Sequence, residues 1–117
     1  EEGITLFADL EAGATGNMSS AMIPDLIKPV VLDYLAGEFD KSEDKYNNIL
    51  PVINYENRQC GFRATKVIMK EGGVINSDFC RHPIPPLEEQ TKAGLIKLIK
   101  KYDPIALSWG KWNLKYL

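Results

Sequence analysis

The chain has 117 residues, 44% hydrophobic and 26% charged, the profile of one globular domain rather than a disordered tail or a fibrous repeat. Lys and Arg number 14 against 16 Asp and Glu, a net charge of -2 that builds no basic field for nucleic acid. No uncharged run approaches the about 20 residues that span a bilayer, so neither nucleic acid nor membrane is an expected partner. One histidine and two cysteines, Cys60 and Cys80, are too few for a disulfide scaffold or an ordinary structural zinc site. No metal or cofactor is expected, and a reducing cytoplasmic setting is the simpler one. The opening Glu1-Glu2-Gly3 has no initiator Met and no signal segment, which reads as a trimmed chain or a piece of a longer one.

The periodicity along the chain is mostly helical. Ile4, Phe7, Leu10 and Ala12 predict a short amphipathic helix ended by Gly13. The small-residue run Gly13-Ala14-Thr15-Gly16-Asn17-Met18-Ser19-Ser20 is too glycine-rich for a helix and reads as a short extended segment or a turn. Pro24 suits a first helical position. Leu26, Ile27, Val30, Val31, Tyr34 and Leu35 then make an apolar stripe up to Gly37, with Pro29 removing one hydrogen bond or delaying the start. Asp40 or Ser42 can cap the next helix, which turns Tyr46, Ile49, Leu50 and Ile53 inward and which Pro51 should kink. A fourth helix is predicted over Gln59–Glu71, stopped by Gly72-Gly73. Val74–Pro86 is a loop, extended through His82-Pro83-Ile84-Pro85-Pro86.

The last clear helix is predicted from about Leu87 to Tyr102. Glu88 and Glu89 sit in its first turn and Lys97, Lys100 and Lys101 near its end, as the helix dipole favours. Asp103-Pro104 stops it, and Trp109 and Trp112 in the tail need packing partners. Five helices and at most one strand result. A lone strand has no sheet to join, so the 13–20 segment is either a loop or part of a sheet outside these residues.

The same residues carry a family resemblance. Asp9-Leu10-Glu11-Ala12-Gly13-Ala14-Thr15-Gly16-Asn17-Met18-Ser19, followed by Pro24-Asp25-Leu26, resembles the last barrel strand and following helix of the dihydrodipicolinate synthase / N-acetylneuraminate lyase family. Asn54-Tyr55-Glu56-Asn57-Arg58-Gln59-Cys60-Gly61 and Ala64-Thr65-Lys66-Val67-Ile68-Met69-Lys70-Glu71-Gly72-Gly73 resemble its turns between extension helices, and His82-Pro83-Ile84-Pro85-Pro86-Leu87 its entry to the terminal helix. The match runs from about Ile4 to Gly110. The Asn54–Gly61 run is most similar to the branch acting on 2-keto-3-deoxy sugar acids, the 2-keto-3-deoxyarabonate dehydratase-like branch.

What the resemblance implies is the C-terminal portion of a (β/α)8 TIM barrel, mainly α in this chain. Residues 1–37 would be the last βα elements, with Thr15–Ser19 the eighth strand and Pro24–Gly37 the eighth helix; residues 38–117 would be the C-terminal helical extension. Members are Schiff-base class I aldolases and dehydratases, commonly tetramers, in which a lysine on the sixth strand forms an imine with a 2-oxo acid. A buried lysine of lowered pKa is needed for that attack near neutral pH. Each of the eleven lysines here falls on a predicted helix face, a loop or the tail, so none is assigned the catalytic role. Barrel active sites lie at the C-terminal ends of the strands, which puts Gly16, Asn17, Met18, Ser19 and Ser20 at the floor and rim of a substrate pocket. Relatives often carry Val where Asn17 stands. The bland alternative is a small-residue loop.

Other residues read more simply. Tyr55, Glu56, Asn57 and Arg58 form a polar cluster that caps a helix and joins its neighbour, or else makes a subunit contact or substrate rim. Cys60 is a small buried apolar residue rather than a nucleophile. His82 is a loop histidine, and Asn17-Met18-Ser19 is a chance sequon. Two functions follow. One is the C-terminal part of a Schiff-base lyase on 2-oxo acids or sugar acids, giving pocket floor and homo-oligomer contacts without the catalytic lysine. The other is a non-catalytic helical interaction module. They differ in whether the first helix, Thr15–Ser19 and the Leu26–Leu35 stripe are exposed or buried by the chain's own helices.

Overall fold

The computed structural model describes residues 3–111. The elements in order are α1 (Leu6–Glu11), α2 (Pro24–Leu35), α3 (Phe39–Tyr55), a π-turn (Glu56–Cys60), α4 (Arg63–Glu71), α5 (Glu89–Tyr102) and a 3-10 turn (Ile105–Leu107). No strand occurs among the described residues. Thr15–Ser19, the expected strand, is irregular, because a strand needs a neighbour to exchange hydrogen bonds with.

α1 stops at Gly13, whose φ of 105° lets the chain turn back so that Gly13 and Ala14 donate to Leu10 O and Asp9 O. Gly37 closes α2 the same way, and the chain re-enters α3 within three residues (36–38). A connection that short makes α2 and α3 antiparallel neighbours. α2 carries Pro29 in its interior at the cost of one N–H and still begins at Pro24.

The α3 cap differs from expectation. Glu38 precedes the helix without a side-chain cap bond, and Ser42 is fully buried one turn inside. Its hydroxyl donates to Val30 O at 2.7 Å, so it ties α3 to α2 instead of capping. Lys45 and Asp33 pair at 2.6 Å alongside.

Three further boundaries move. The fourth helix begins at Arg63, not Gln59, because Glu56–Cys60 widens into a π-turn and Gly61 breaks the path at φ 65°. The last helix starts at Glu89, with extended Glu88 ahead of it. The proline segment is not extended throughout: a turn over residues 81–84 is closed by the Ile84 N–H on Arg81 O at 3.0 Å, and the His82–Pro83 peptide is cis. Trp109 remains half exposed, and Trp112 lies outside the described residues.

One core runs through the described residues. Leu6 and Leu10 of α1, Ile27 and Val30 of α2, Ile49, Val52 and Ile53 of α3, Ala64, Val67 and Ile68 of α4, and Leu95 and Ile99 of α5 share it. Side chains then stitch the helices together. Tyr46 donates to Ile4 O, Tyr55 to Thr91 O at 2.9 Å and Tyr102 to Asn48 O at 2.7 Å. Of the stripe read in α1, Leu10 is buried, Ile4 and Phe7 are half buried and Ala12 is exposed, while Leu6, outside that stripe, is buried; the inner side of α2 is buried by the chain's own helices. Leu32, Leu35 and Phe39 are not: each is about half exposed.

Candidate functional site

The 14–20 segment leaves α1 at Gly13 and re-enters the core at Met22 and Ile23, both buried. Between these anchors Thr15, Gly16, Asn17 and Met18 face solvent, and Ser19 and Ser20 are half buried. Met18 is 95% exposed, far more than a thioether gains from when any apolar contact is within reach. Nothing lies within 4 Å of where a Cβ on Gly16 would sit, so the backbone there is open to approach. Exposed Asn17 borders buried Gly3, its Nδ2 3.8 Å from the point where a Gly3 Cβ would stand. The five residues read from the sequence are thus one contiguous stretch with an open side.

Ser20 is the fixed end of that stretch. Its hydroxyl donates to Glu56 Oε2 at 3.0 Å and its oxygen accepts the Met22 N–H at 3.3 Å. A serine has a single hydroxyl hydrogen, so the donor capacity of Ser20 is already used. Glu56 is 1% exposed; the sequence offered it within the Tyr55–Arg58 cluster as a helix joint or a rim residue, not as a partner of Ser20. A signal was present: Ile49, Val52 and Ile53 are spaced on one helix face, and position 56 continues it, so a carboxylate there points into the core.

The rest of the Tyr55–Arg58 cluster does joining work. Tyr55 crosses to α5, Asn57 donates back to Ile53 O at 2.7 Å, and Arg58 is exposed. At the end of the π-turn, burial pushes the Cys60 thiol up to about 11, with the Arg63 guanidinium opposing and the Glu56 carboxylate adding to the rise. A thiol so held stays protonated at neutral pH and is inert. His82 is exposed on its loop.

A separate pocket of about 250 Å³ opens between α4, the 74–86 loop and α5, walled by Val67, Cys80, Ile84 and Leu87. Three of its charged groups, Arg63, Asp78 and Lys92, have partners. Arg63 donates to Cys60 O and Pro85 O, both at 3.0 Å, and Lys92 pairs with Asp78 at 2.8 Å. The Asp78 hydrogen bond raises the Lys92 pKa, the opposite of what an imine-forming amine requires. Lys66, the other half-buried lysine among the described residues, donates to Phe79 O at 3.0 Å. Among the described residues no cluster of three or more His, Cys, Asp or Glu could hold a metal ion, and no helix is long and apolar enough to cross a membrane.

Residues 3–102 match the dihydrodipicolinate synthetase family. The chain is 46% identical over 110 residues to L-2-keto-3-deoxyarabonate dehydratase of Azospirillum brasilense, covering 94% of this chain and 36% of that protein. The fold matches the crystal structure of dihydrodipicolinate synthase from Rhodopseudomonas palustris with a TM-score of 0.75 at 28% identity, over 85% of this chain and 33% of that one. The chain thus spans about a third of the length of both relatives and corresponds to their C-terminal part.

Proposed function

The chain belongs to the dihydrodipicolinate synthetase family, and from that premise we propose that it forms the C-terminal portion of a cytoplasmic Schiff-base lyase acting on a 2-keto-3-deoxy sugar acid. The observation that carries this is the 46% identity over 110 residues to a dehydratase of that substrate class. In this reading the imine-forming lysine belongs to the part of the family fold that the chain does not span. The chain closes the barrel, lends Gly16–Ser20 to the pocket floor and rim, and supplies contacts between copies. Gly16 leaves room for the bound acid, while Asn17 and Ser19 carry the polar groups nearest the open side.

Two linked measurements test it. In the first, the chain is treated with borohydride and pyruvate or a 2-keto-3-deoxy sugar acid, and intact mass is read; no adduct is expected. In the second, the chain replaces the matching C-terminal part of the Azospirillum brasilense dehydratase, and that chimera is expected to trap substrate and dehydrate L-2-keto-3-deoxyarabonate. A stoichiometric adduct on one lysine of the chain alone would overturn the assignment, as would a folded chimera without activity.

A second reading, a helical interaction module, has its own support. Leu6 and Leu10 of α1 are buried by the chain's own helices, as in a unit that packs without a barrel.

A further inference from the structure

We propose that Glu56 is the positioning residue of the substrate-side segment: by holding Ser20 it sets where Gly16–Ser19 lie relative to the pocket. This rests on the pocket role given to that segment above. It adds a residue 36 positions away that the segment's own sequence does not reveal.

The starting point is a misfit. Ile49, Val52 and Ile53 line the buried face of α3, and position 56 falls on the same face, where an apolar side chain is the ordinary occupant. The chain places a carboxylate there at 1% exposure, and burying such a group is unfavourable unless polar partners receive it. One partner is the Ser20 hydroxyl at 3.0 Å, and a hydrogen bond to a carboxylate is stronger than a neutral one.

The bond also has direction. Ser20 donates to Glu56 and accepts from the Met22 N–H, so its rotamer is held from both sides. Met22 and Ile23 then enter the core, while Met18, four residues before Met22, is almost wholly in solvent. Residue 20 is therefore the last point at which the fold can aim the exposed stretch.

The helix geometry fits this task. α3 gives way to the π-turn at Glu56 itself, and the wider turn carries the chain away from the α3 register just after the carboxylate. Single π-turns of this kind are frequent at functional sites. The Gly61 N–H donates to the Glu56 carbonyl at 2.6 Å and ends the turn.

The experiment has two arms. In the first, Glu56→Ala, Glu56→Gln and Ser20→Ala are made in the chain, and backbone resonances and amide exchange are followed by NMR. Glu56→Ala and Ser20→Ala are expected to speed exchange at the Met22 amide about tenfold, the loss of one ordinary hydrogen bond, and to shift the resonances of residues 16–20. Leu95 and Ile99 should keep their protection, and Glu56→Gln, which retains an acceptor oxygen, should restore the wild-type pattern. Unchanged resonances at 16–18 in both alanine variants overturn the proposal. If Glu56→Ala does not fold, Ser20→Ala breaks the same bond from the exposed end and decides alone.

The second arm uses the dehydratase chimera. There Glu56→Ala is expected to raise KM for the sugar acid about tenfold with a smaller change in kcat, and Glu56→Gln to recover it. Equal losses in both alanine and glutamine variants, confined to kcat, refute a positioning role. An inactive parent chimera counts against the lyase reading, and the first arm still decides whether Glu56 places the segment.

Discussion

Gly94 sits in the middle of α5, where helix propensity alone favours alanine by about 1 kcal/mol. Packing demands the reverse. A Cβ on Gly94 would stand 2.4 Å from the Tyr55 hydroxyl oxygen and 3.4 Å from the ring carbon bearing it. Tyr55 cannot swing aside freely, since its hydroxyl donates to Thr91 O at 2.9 Å and is the polar tie between α3 and α5. Gly94→Ala must either break that bond, worth about 1 kcal/mol, or spread the helices at an overpacking cost of about 1–3 kcal/mol. After the propensity gain is subtracted, the expected outcome is a net loss of up to about 2 kcal/mol in place of the gain that propensity alone would give.

Tyr55→Phe removes the oxygen responsible for the 2.4 Å contact and leaves ring carbons at 3.4 and 3.9 Å, ordinary packing distances. In the Tyr55→Phe background Gly94→Ala should therefore become neutral or stabilising. The assay is urea unfolding of the wild type, both single variants and the double variant, followed by circular dichroism and read as a double-mutant cycle. A coupling of about 2 kcal/mol is expected. Refutation would be Gly94→Ala raising stability by about 1 kcal/mol in both backgrounds, the result of propensity acting without the clash.

Gly72→Ala is more severe, since its Cβ would fall 1.8 Å from the backbone oxygen of Ala106 and no side chain can yield. A loss above about 3 kcal/mol is expected, with fast amide exchange at Gly110 and Lys111, whose N–H groups donate to Gly72 O; unchanged protection there would contradict it. Cys60 holds its proton up to about 11 in the fold, against about 8.5 in the unfolded chain, so its contribution is whole below about pH 8.5 and is lost as pH rises towards 11. Cys60→Ala should flatten that alkaline decline in a pH series of unfolding, and the wild-type thiol should resist iodoacetamide until the chain unfolds. The Lys92 hydrogen bond holds Asp78 below the ordinary carboxylate range, so this pair stabilises above about pH 4 and its effect disappears as pH falls further. Lys92→Met is expected to cost up to about 1 kcal/mol at neutral pH, because the pair is partly solvated, and nothing at about pH 2.

Local rules made much of this fold legible in advance. Gly13, Gly37 and Gly72-Gly73 end helices where the sequence placed their ends, and the apolar spacing in α2 and α3 identified Ile27, Val30, Ile49 and Ile53 as core. What escaped was set by tertiary partners. Ser42 has the chemistry of a cap, yet the approach of α2 offers Val30 O, and burial of the hydroxyl wins. The helix expected from Gln59 is delayed because Glu56 turns inward, and no propensity scale contains a π-turn. Of the candidate site, the small-residue stretch Gly16–Ser20 could be read directly. Its anchor could not, since the Ser20–Glu56 bond joins positions 36 residues apart.

The two functional readings part at the outer edge of α2. Its inner face is satisfied, with Ile27 and Val30 buried, and Leu6 and Leu10 of α1 are buried too, which is what a unit packing by itself requires. Leu32 and Leu35 lie three apart on the helix surface, hence side by side, and both remain about half exposed. Phe39 continues the patch, its ring 4.8 Å from Tyr34, which in turn meets Phe7 at 5.7 Å. A run of this kind marks a surface that another element covers. The lyase reading supplies one, either the rest of a barrel or a second copy; a free-standing module needs none. Sedimentation of the chain is expected to show concentration-dependent association, abolished in the Leu32→Lys/Leu35→Lys variant with circular dichroism unchanged, because charge at these two positions costs the helix little and the contact much. A wild-type chain that stays monomeric at high concentration, and a chimera indifferent to the same two lysines, would remove this edge from the lyase reading and favour the module.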